Sequence, residues 1–269
     1  MKRIVVTGAG GTVGRALLPC LRQKGCKVFP LSHRHFRMWE WGEMERLLDQ
    51  YRPESIFHLA LASQPTGLPD EGRLVNEEWP LALAKWGARN GTQLIFTSTV
   101  MVFGDDQPGP FRPETPPRPN SDYGKQKLMV ERRLAELHGD LVIARLGWQI
   151  GTDFSGNQML AYLHNQLRQK GEVVCSPAFY PSCSFLGQTA EALSSLPEKP
   201  PGLYLINANR DLSFYRIARL LQKRFNLPGK ILSEEVFRQD QRMLDEKIVL
   251  PDLQAEFPEA VGKFGKDLP

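Results

Sequence analysis

The stretch Lys2-Arg3-Ile4-Val5-Val6-Thr7-Gly8-Ala9-Gly10-Gly11-Thr12-Val13-Gly14 decides the fold. An apolar, β-branched run ends in a glycine-rich turn, and a helical pattern follows from Thr12 to Lys24. A strand that passes through such a turn straight into a helix is the opening unit of a dinucleotide-binding type of fold. Glycines at 8, 11 and 14 permit a tight left-handed turn, bring bare backbone N–H groups toward a pyrophosphate, and let the helix pack closely on the strand. The helix N-terminus adds its partial positive charge. Gly8, Gly10, Gly11, Thr12, Val13 and Gly14 are therefore candidate phosphate contacts. The spacing is Gly-x-x-Gly-x-x-Gly instead of the commoner Gly-x-Gly-x-x-Gly, and the competing reading is an ordinary turn with no ligand.

Outward from this unit, short β-rich runs at Ile4–Val6, Lys27–Leu31, Ser55–Leu59, Gln93–Thr97 and Leu141–Arg145 alternate with helical periodicity at Thr12–Lys24, Glu43–Tyr51, Arg73–Asn90 and Ser121–His138. Alternation of this kind predicts an α/β fold with a doubly wound parallel sheet, a Rossmann fold, whose ligand lies beyond the carboxyl ends of the strands. Residues 1–150 are read as the dinucleotide-binding domain, with return elements near 186–208, a helix at Gly187–Leu196 and a strand at Leu203–Asn207. After Arg145 the pattern loosens. Gly151–Gly156 and Pro177–Ser184 read as loops, Asn157–Lys170 and Ser213–Phe225 as helices, Glu172–Cys175 as a strand, and Leu227–Pro269 as a polar, irregular tail. Residues 151–185 and 209–269 are assigned to a smaller C-terminal lobe.

With 269 residues, 41% hydrophobic and 24% charged, the chain is long enough to bury a substantial core. It contains no run of about eighteen apolar residues and no charged segment leading into a signal-peptide core, so a cytoplasmic protein with no membrane partner is expected. Cys20, Cys26, Cys175 and Cys183 lack both C-x-x-C and metal-finger spacing, which favours four buried or half-buried thiols and no metal. A net charge of +4 and a pI of about 8.9 suit phosphate-bearing small molecules. The absence of a basic run or an aromatic-interleaved basic stripe argues against a nucleic-acid partner.

Tyr123 and Lys127 stand four apart at the start of a helix whose apolar side continues through Leu128, Val130, Leu134 and Leu137, and so share one face. An ammonium beside a phenol stabilises the phenolate and brings a group of pKa near 10 toward the working range of an acid or base. The run Gln93–Thr97 leads into Ser98-Thr99, hydroxyls at the carboxyl end of a central strand. Hydroxyl, phenol and ammonium could converge on one substrate oxygen.

At these residues the chain resembles the extended short-chain dehydrogenase/reductase family, the NAD(P)-dependent epimerase/dehydratase-like group, and within it the dTDP-4-dehydrorhamnose reductase branch. The likeness rests on Thr7 to Gly14, on Ser98-Thr99-Val100-Met101-Val102-Phe103-Gly104, on Glu114 through Pro119 to Tyr123-Gly124-Lys125-Gln126-Lys127 and Glu131, on Arg145 to Gly151, and on Gly202 to Asn207. It implies a nicotinamide-dependent oxidoreductase moving hydride to or from a carbonyl or hydroxyl of a small, nucleotide-sugar-like substrate held by the smaller lobe. Tyr123 would be the general acid, Lys127 would lower the tyrosine pKa and hold the nicotinamide ribose, and Thr99 would hydrogen-bond the reacting oxygen. Ser98 would assist there or merely end the strand. Leu59, Ala60 and Leu61 would border the cofactor, and Met101, Trp148 and Tyr180 would line the substrate pocket, with core packing the alternative for the last two. Asn76 matches a frequent family asparagine or is a helix-surface amide. The branch has Asp-Tyr where this chain has Val100-Met101, and the segment after Leu59 lacks a longer acidic insert. Two other readings stay open: a nucleotide-sugar epimerase or dehydratase, against which Val100-Met101 counts, and a non-catalytic NADP-binding regulatory subunit or sensor. A homodimer is compatible with the resemblance.

The second strand ends at Leu31-Ser32-His33-Arg34 with no Asp or Glu to grip the adenosine ribose hydroxyls. Ser32, His33 and Arg34, helped by Arg15, could instead receive a 2′-phosphate, so NADP(H) is preferred over NAD(H). Phe36, Trp39 and Trp41 read as core or as an adenine cover, His58 as a satisfied interior histidine, and Pro108–Pro119 as a stiff loop leading to Tyr123.

Overall fold

The opening run forms strand β1 (Arg3–Thr7), and the periodic segment after the glycine turn forms α1 (Thr12–Gln23), in the computed structural model, which describes residues 1–31, 40–62 and 69–257. There follow β2 (Lys27–Leu31), α2 (Trp41–Tyr51), β3 (Ser55–His58), a short α3 (Glu71–Arg73), α4 (Trp79–Asn90), β4 (Gln93–Thr99), α5 (Asp122–Leu137) and β5 (Leu141–Leu146). The later elements are β6 (Trp148–Ile150), α6 (Met159–Lys170), β7 (Glu172–Cys175), β8 (Phe179–Tyr180), β9 (Cys183–Phe185), α7 (Leu186–Ser195), β10 (Gly202–Ile206), α8 (Phe214–Phe225), β11 (Lys230–Ser233) and β12 (Gln239–Asp240).

The chain divides into two units. The first comprises Met1–Gly104, Pro116–Arg145 and Ala190–Tyr204. It is built on a six-stranded sheet of order β10-β5-β4-β3-β1-β2. β1 pairs in parallel with β2 and β3, and β3 in parallel with β4. From β1 the chain steps to β2 on one side and then returns to β3 on the other, so the strand order reverses between β1 and β3. The carboxyl ends of those two strands form the switch point where such sheets bind ligands, and the doubly wound fold expected from the sequence is present. Ile4, Val5, Val6 and Thr7 are fully buried, as is nearly all of β3, which is why these strands read as continuous apolar runs instead of alternating ones. One layer of the core packs Val5, Ile56, Leu94 and Phe96 of the sheet against Leu48, Trp79, Leu83, Trp86, Val130 and Leu134 of the helices.

The periodic stretch expected as one helix over Arg73–Asn90 is interrupted by a π turn, Leu74–Glu78, in which the Trp79 amide reaches back five residues to the Leu74 carbonyl. Pro80 has no N–H to donate to the Asn76 carbonyl, so the ordinary four-residue ladder cannot run through this point.

The second unit comprises Asp105–Thr115, Leu146–Thr189 and the described residues from Leu205. Three short parallel pairs, β6 with β9, β7 with β11 and β8 with β12, tie it together. Two segments differ from their sequence expectation: the Pro177–Ser184 loop contains β8 and begins β9, and the supposedly irregular tail contains β11 and β12. These strands are two to four residues long and pair with partners far along the chain, so they leave no local periodicity. Phe111 makes the same kind of distant pairing, donating to the Arg242 carbonyl at 2.7 Å and accepting from Leu244 at 2.8 Å, which places Asp105–Thr115 here and not in an unbroken domain over 1–150. Asn207 and Asn209 satisfy loop backbone: Asn207 accepts from Cys183 and donates to Met243, and Asn209 donates to Pro181 and Leu212. The four cysteines are free thiols. Among the described residues no helix is long and apolar enough to cross a membrane.

In the first unit, Arg145 on β5 donates to both carboxylate oxygens of Glu131 on α5, at 3.1 and 2.6 Å, with both side chains about 5% exposed, and its guanidinium lies over the Phe103 ring. Removing one member of such a pair strands the other without solvent. Glu131→Leu is expected to lose about 3 kcal/mol of stability and Glu131→Leu with Arg145→Met to regain most of it; urea denaturation of the two variants checks this.

Candidate functional site

The glycine turn closes on itself and on the loop after β3. Gly11 donates to the Gly8 carbonyl at 2.9 Å, and Leu59 donates to the Thr7 carbonyl at 3.2 Å. Gly8 has φ +68°, and a Cβ on it would sit 2.6 Å from the Ala60 nitrogen. A Cβ at Gly14 would collide with the Gly8 carbonyl. Gly10, by contrast, faces open space. α1 starts at Gly11 with no side-chain cap, so the amides of its first turn have no side-chain acceptor. Open backbone donors at an uncapped helix N-terminus beside the switch point fit an anionic group such as a pyrophosphate. Leu59, Ala60 and Leu61 lie in the loop against which the turn packs. Asn76 is buried in the π turn, where it accepts from the Ala62 amide at 2.9 Å and donates to the Ala62 carbonyl at 3.4 Å; it is not a helix-surface amide. Trp41 is half-buried against the core of the first unit. Ser32, His33, Arg34, Phe36 and Trp39 lie outside the described residues.

A second cluster surrounds the start of α5. Ser121 caps the helix by accepting from the Gly124 amide at 3.1 Å. Gly124 lies so close to the Met101 carbonyl that any side chain would collide with it, which brings the helix start against the 3₁₀ turn Val100–Val102 that follows Thr99. The Thr99 hydroxyl accepts from the Met101 amide at 3.2 Å, leaving its own proton available to a ligand oxygen. Ser98 Oγ is buried and has no hydrogen-bond partner among the described residues. Lys127, 4% exposed, donates from Nζ to the Thr97 carbonyl at 3.1 Å and rests 4.5 Å above the Phe96 ring. Burial lowers its pKa to about 8, against an upward pull from Glu131 one turn further along α5. Phe96 is a fully buried residue of unexceptional sequence context, and nothing in the sequence marked it as a seat for a cation.

Tyr123 precedes Lys127 by one helical turn. Burial pushes its phenol up to about 12, so in the protein alone desolvation prevails over the expected downward pull of Lys127. His58 is fully inside, its Nδ1 2.9 Å from the Thr7 hydroxyl, and burial followed by the nearby Lys127 charge lowers it to about 3. It stays neutral, but its Nε2 is buried with no hydrogen-bond partner among the described residues, so only one ring nitrogen of the interior histidine expected from the sequence is satisfied.

Trp148 and Tyr180 belong to the second unit. Trp148 packs against Tyr162 and Phe214, with ring centroids 5.4 and 5.5 Å away. Tyr180 lies under the Arg242 guanidinium at 5.1 Å, and Arg242 is held by Asp240 through bonds of 2.9 and 2.7 Å.

Comparison with known proteins adds four findings. The family described as RmlD substrate binding domain matches residues 1–236. The spore coat polysaccharide biosynthesis protein SpsK of Bacillus subtilis (strain 168) is 27% identical over 240 residues, 87% of this chain and 83% of that one. The methionine adenosyltransferase 2 subunit beta of Xenopus laevis is 24% identical over 249 residues, 86% of this chain and 74% of that one. The crystal structure of dTDP-4-dehydrorhamnose reductase from Bacillus anthracis str. Ames in complex with NADP shares the fold with a TM-score of 0.81 at 18% identity, covering 96% of this chain and 97% of that one.

The buried ammonium makes a stability prediction with a definite sign. Folding lowers the Lys127 pKa from 10.5 to about 8, so between those values the unfolded chain binds the extra proton and stability rises with pH. Lys127→Met should therefore be more stable than the parent at pH 7, by about 2–3 kcal/mol, with the gain shrinking as pH climbs from 8 toward 10.5. Denaturation curves across that range test it, and a pH-independent difference would contradict it.

Proposed function

The chain belongs to the RmlD substrate binding domain family, and from that premise we propose that it is a reductase which uses NADPH, in preference to NADH, on the ketone of a small nucleotide-linked sugar. The observation that carries this reading is the cluster at α5: a buried Lys127 ammonium fixed to β4, Tyr123 one turn before it, and a Thr99 hydroxyl whose proton is free to be donated.

When bound, the dihydronicotinamide supplies a hydride, two electrons and a proton, to the carbonyl carbon. The carbonyl π pair moves to oxygen, and Tyr123 transfers its phenolic proton there to give the alcohol. A phenol held near 12 keeps that proton until negative charge develops on the oxygen. Lys127 stabilises the phenolate left behind, and Thr99 donates a hydrogen bond to the same oxygen. The uncapped first turn of α1 would hold the pyrophosphate. The names of SpsK and of the Bacillus anthracis reductase support a nucleotide-linked or polysaccharide-precursor sugar. Trp148 and Tyr180 are proposed as substrate-lobe contacts, and Ser32, His33 and Arg34 as the 2′-phosphate contacts.

A second reading, an NADP-binding subunit without catalysis, draws on the likeness to the methionine adenosyltransferase 2 subunit beta and on the replacement of Asp-Tyr by Val100-Met101. Intact Thr99, Tyr123 and Lys127 favour the enzyme.

A parallel titration with NADPH and NADH, read by energy transfer from tryptophan to bound nicotinamide, tests cofactor choice; tighter NADH would refute the preference. With a dTDP-4-keto-sugar as substrate, Tyr123→Phe is expected to lose 10²- to 10⁴-fold in turnover while binding NADPH like the parent, and parental turnover should decline above about pH 8 as Lys127 gives up its proton. Saturable NADPH binding with no turnover of any keto-sugar nucleotide would favour the subunit reading.

A further inference from the structure

The π turn and α5 meet through a small polar network that neither the fold nor the acid–base cluster requires. Asn76 holds the Ala62 backbone at two points. Its Nδ2 also donates to Gln126 Oε1 at 3.3 Å, and Gln126 Nε2 donates to Glu77 Oε1 at 2.8 Å. Glu77 and Asn76 are consecutive, and both reach one side chain across the helix interface because they sit in the widened π turn. The orientation of the Gln126 amide is dictated by its neighbours: an ionised carboxylate can only accept, so the NH₂ must face Glu77 and the oxygen must face Asn76.

We propose that Gln126 is a positioning residue which, through Asn76, ties the loop bordering the cofactor to the helix that carries Tyr123 and Lys127. The physical path is short. Gly8 packs on Ala60, Ala62 is clamped by Asn76, Asn76 is bonded to Gln126, and Gln126 lies three residues after Tyr123 and one before Lys127. Gln126 and Lys127 diverge by about 100° around the helix, so Lys127 anchors α5 to β4 from one side while Gln126 anchors it to the π turn from another. Two anchors on different sides fix both the rotation and the axial position of the first turn. A shift there moves the phenol relative to the loop and the glycine turn, and would be felt as weaker cofactor binding although Gln126 itself touches no cofactor. The proposal rests on the NADPH-binding reading above.

The test uses the full chain, NADPH titration by energy transfer, and four variants. Gln126→Leu removes both bonds, and Gln126→Glu opposes one carboxylate to another. Each is expected to weaken NADPH binding about tenfold, with the denaturation midpoint near that of the parent. Glu77→Gln keeps an acceptor for the Gln126 NH₂ and should bind like the parent. Gln126→Glu combined with Glu77→Gln exchanges amide and carboxylate, keeps the Asn76 donation to residue 126 and reverses the donor only in the bond to residue 77, and should return affinity to within about threefold of the parent. A residue that merely fills space would not be rescued by this exchange. Parental affinity in Gln126→Leu and Gln126→Glu, or failure of the folded double variant to recover, overturns the proposal alone. A parent chain that binds neither NADPH nor NADH overturns the cofactor reading and this inference with it.

Discussion

A buried ammonium is the constraint around which the first unit is arranged. Lys127 has left water almost completely, and its charge survives on three local compensations: the Thr97 carbonyl, the face of Phe96, and Glu131 on the next turn of its own helix. Two of these are successive residues of β4, so the ammonium can be satisfied only when α5 lies against that strand in one rotation. Glu131 can help only because Arg145 on β5 holds it in place from the other side. The polar stripe Tyr123, Lys127, Glu131 therefore faces the sheet beside the apolar contacts of Val130 and Leu134. Once that stripe is seated, the first turn of α5, with Tyr123, comes to rest against the turn after Thr99, where Gly124 meets the Met101 carbonyl.

The glycine turn meets a different problem with the same means. Phosphates need unpaired N–H groups, and unpaired N–H groups exist only where backbone is left without side-chain caps. Gly8 against Ala60, Gly14 against the Gly8 carbonyl, and Gly124 against Met101 are all places where backbone meets backbone at distances no side chain would allow. The first two lie at the ends of β1 and β3, where the order of the sheet reverses, and the third lies beyond the end of β4. Chemistry is thereby concentrated at positions whose neighbours are fixed by sterics and not by flexible side chains.

The legible parts of this structure are those whose cause is local. β1, β3 and β4 are buried on both faces and so appear as short apolar runs, and the amphipathic helices between them carry their own period; the doubly wound sheet follows. That Tyr123 and Lys127 lie one turn apart on α5 and Thr99 at the end of β4 is legible because spacing on one helix and position at a strand end are sequence properties. The illegible parts have distant causes. β8, β9, β11 and β12 exist because each finds a partner tens of residues away, and Phe111 joins the second unit for the same reason. The π turn had a local mark in Pro80, but its consequence, two consecutive polar side chains meeting Gln126, depends on how α5 packs. Burial raises the Tyr123 phenol, and this influence is illegible because charge is visible in a sequence and desolvation is not.

Desolvation also separates the two halves of the Val100-Met101 departure, which a sequence can only treat as one. In the 3₁₀ turn Val100 is 6% exposed and Met101 39%, so one side chain faces the interior and the other faces outward. A carboxylate at position 100 would need a partner in that interior, whereas valine needs none. At position 101 the backbone performs the tasks that matter to the cluster: its N–H fixes the Thr99 hydroxyl, and its carbonyl receives Gly124. Neither task depends on the side chain. Replacing Asp-Tyr by Val-Met therefore alters what a ligand would meet at the surface of the turn while leaving in place the contacts that hold Thr99 and the start of α5 together.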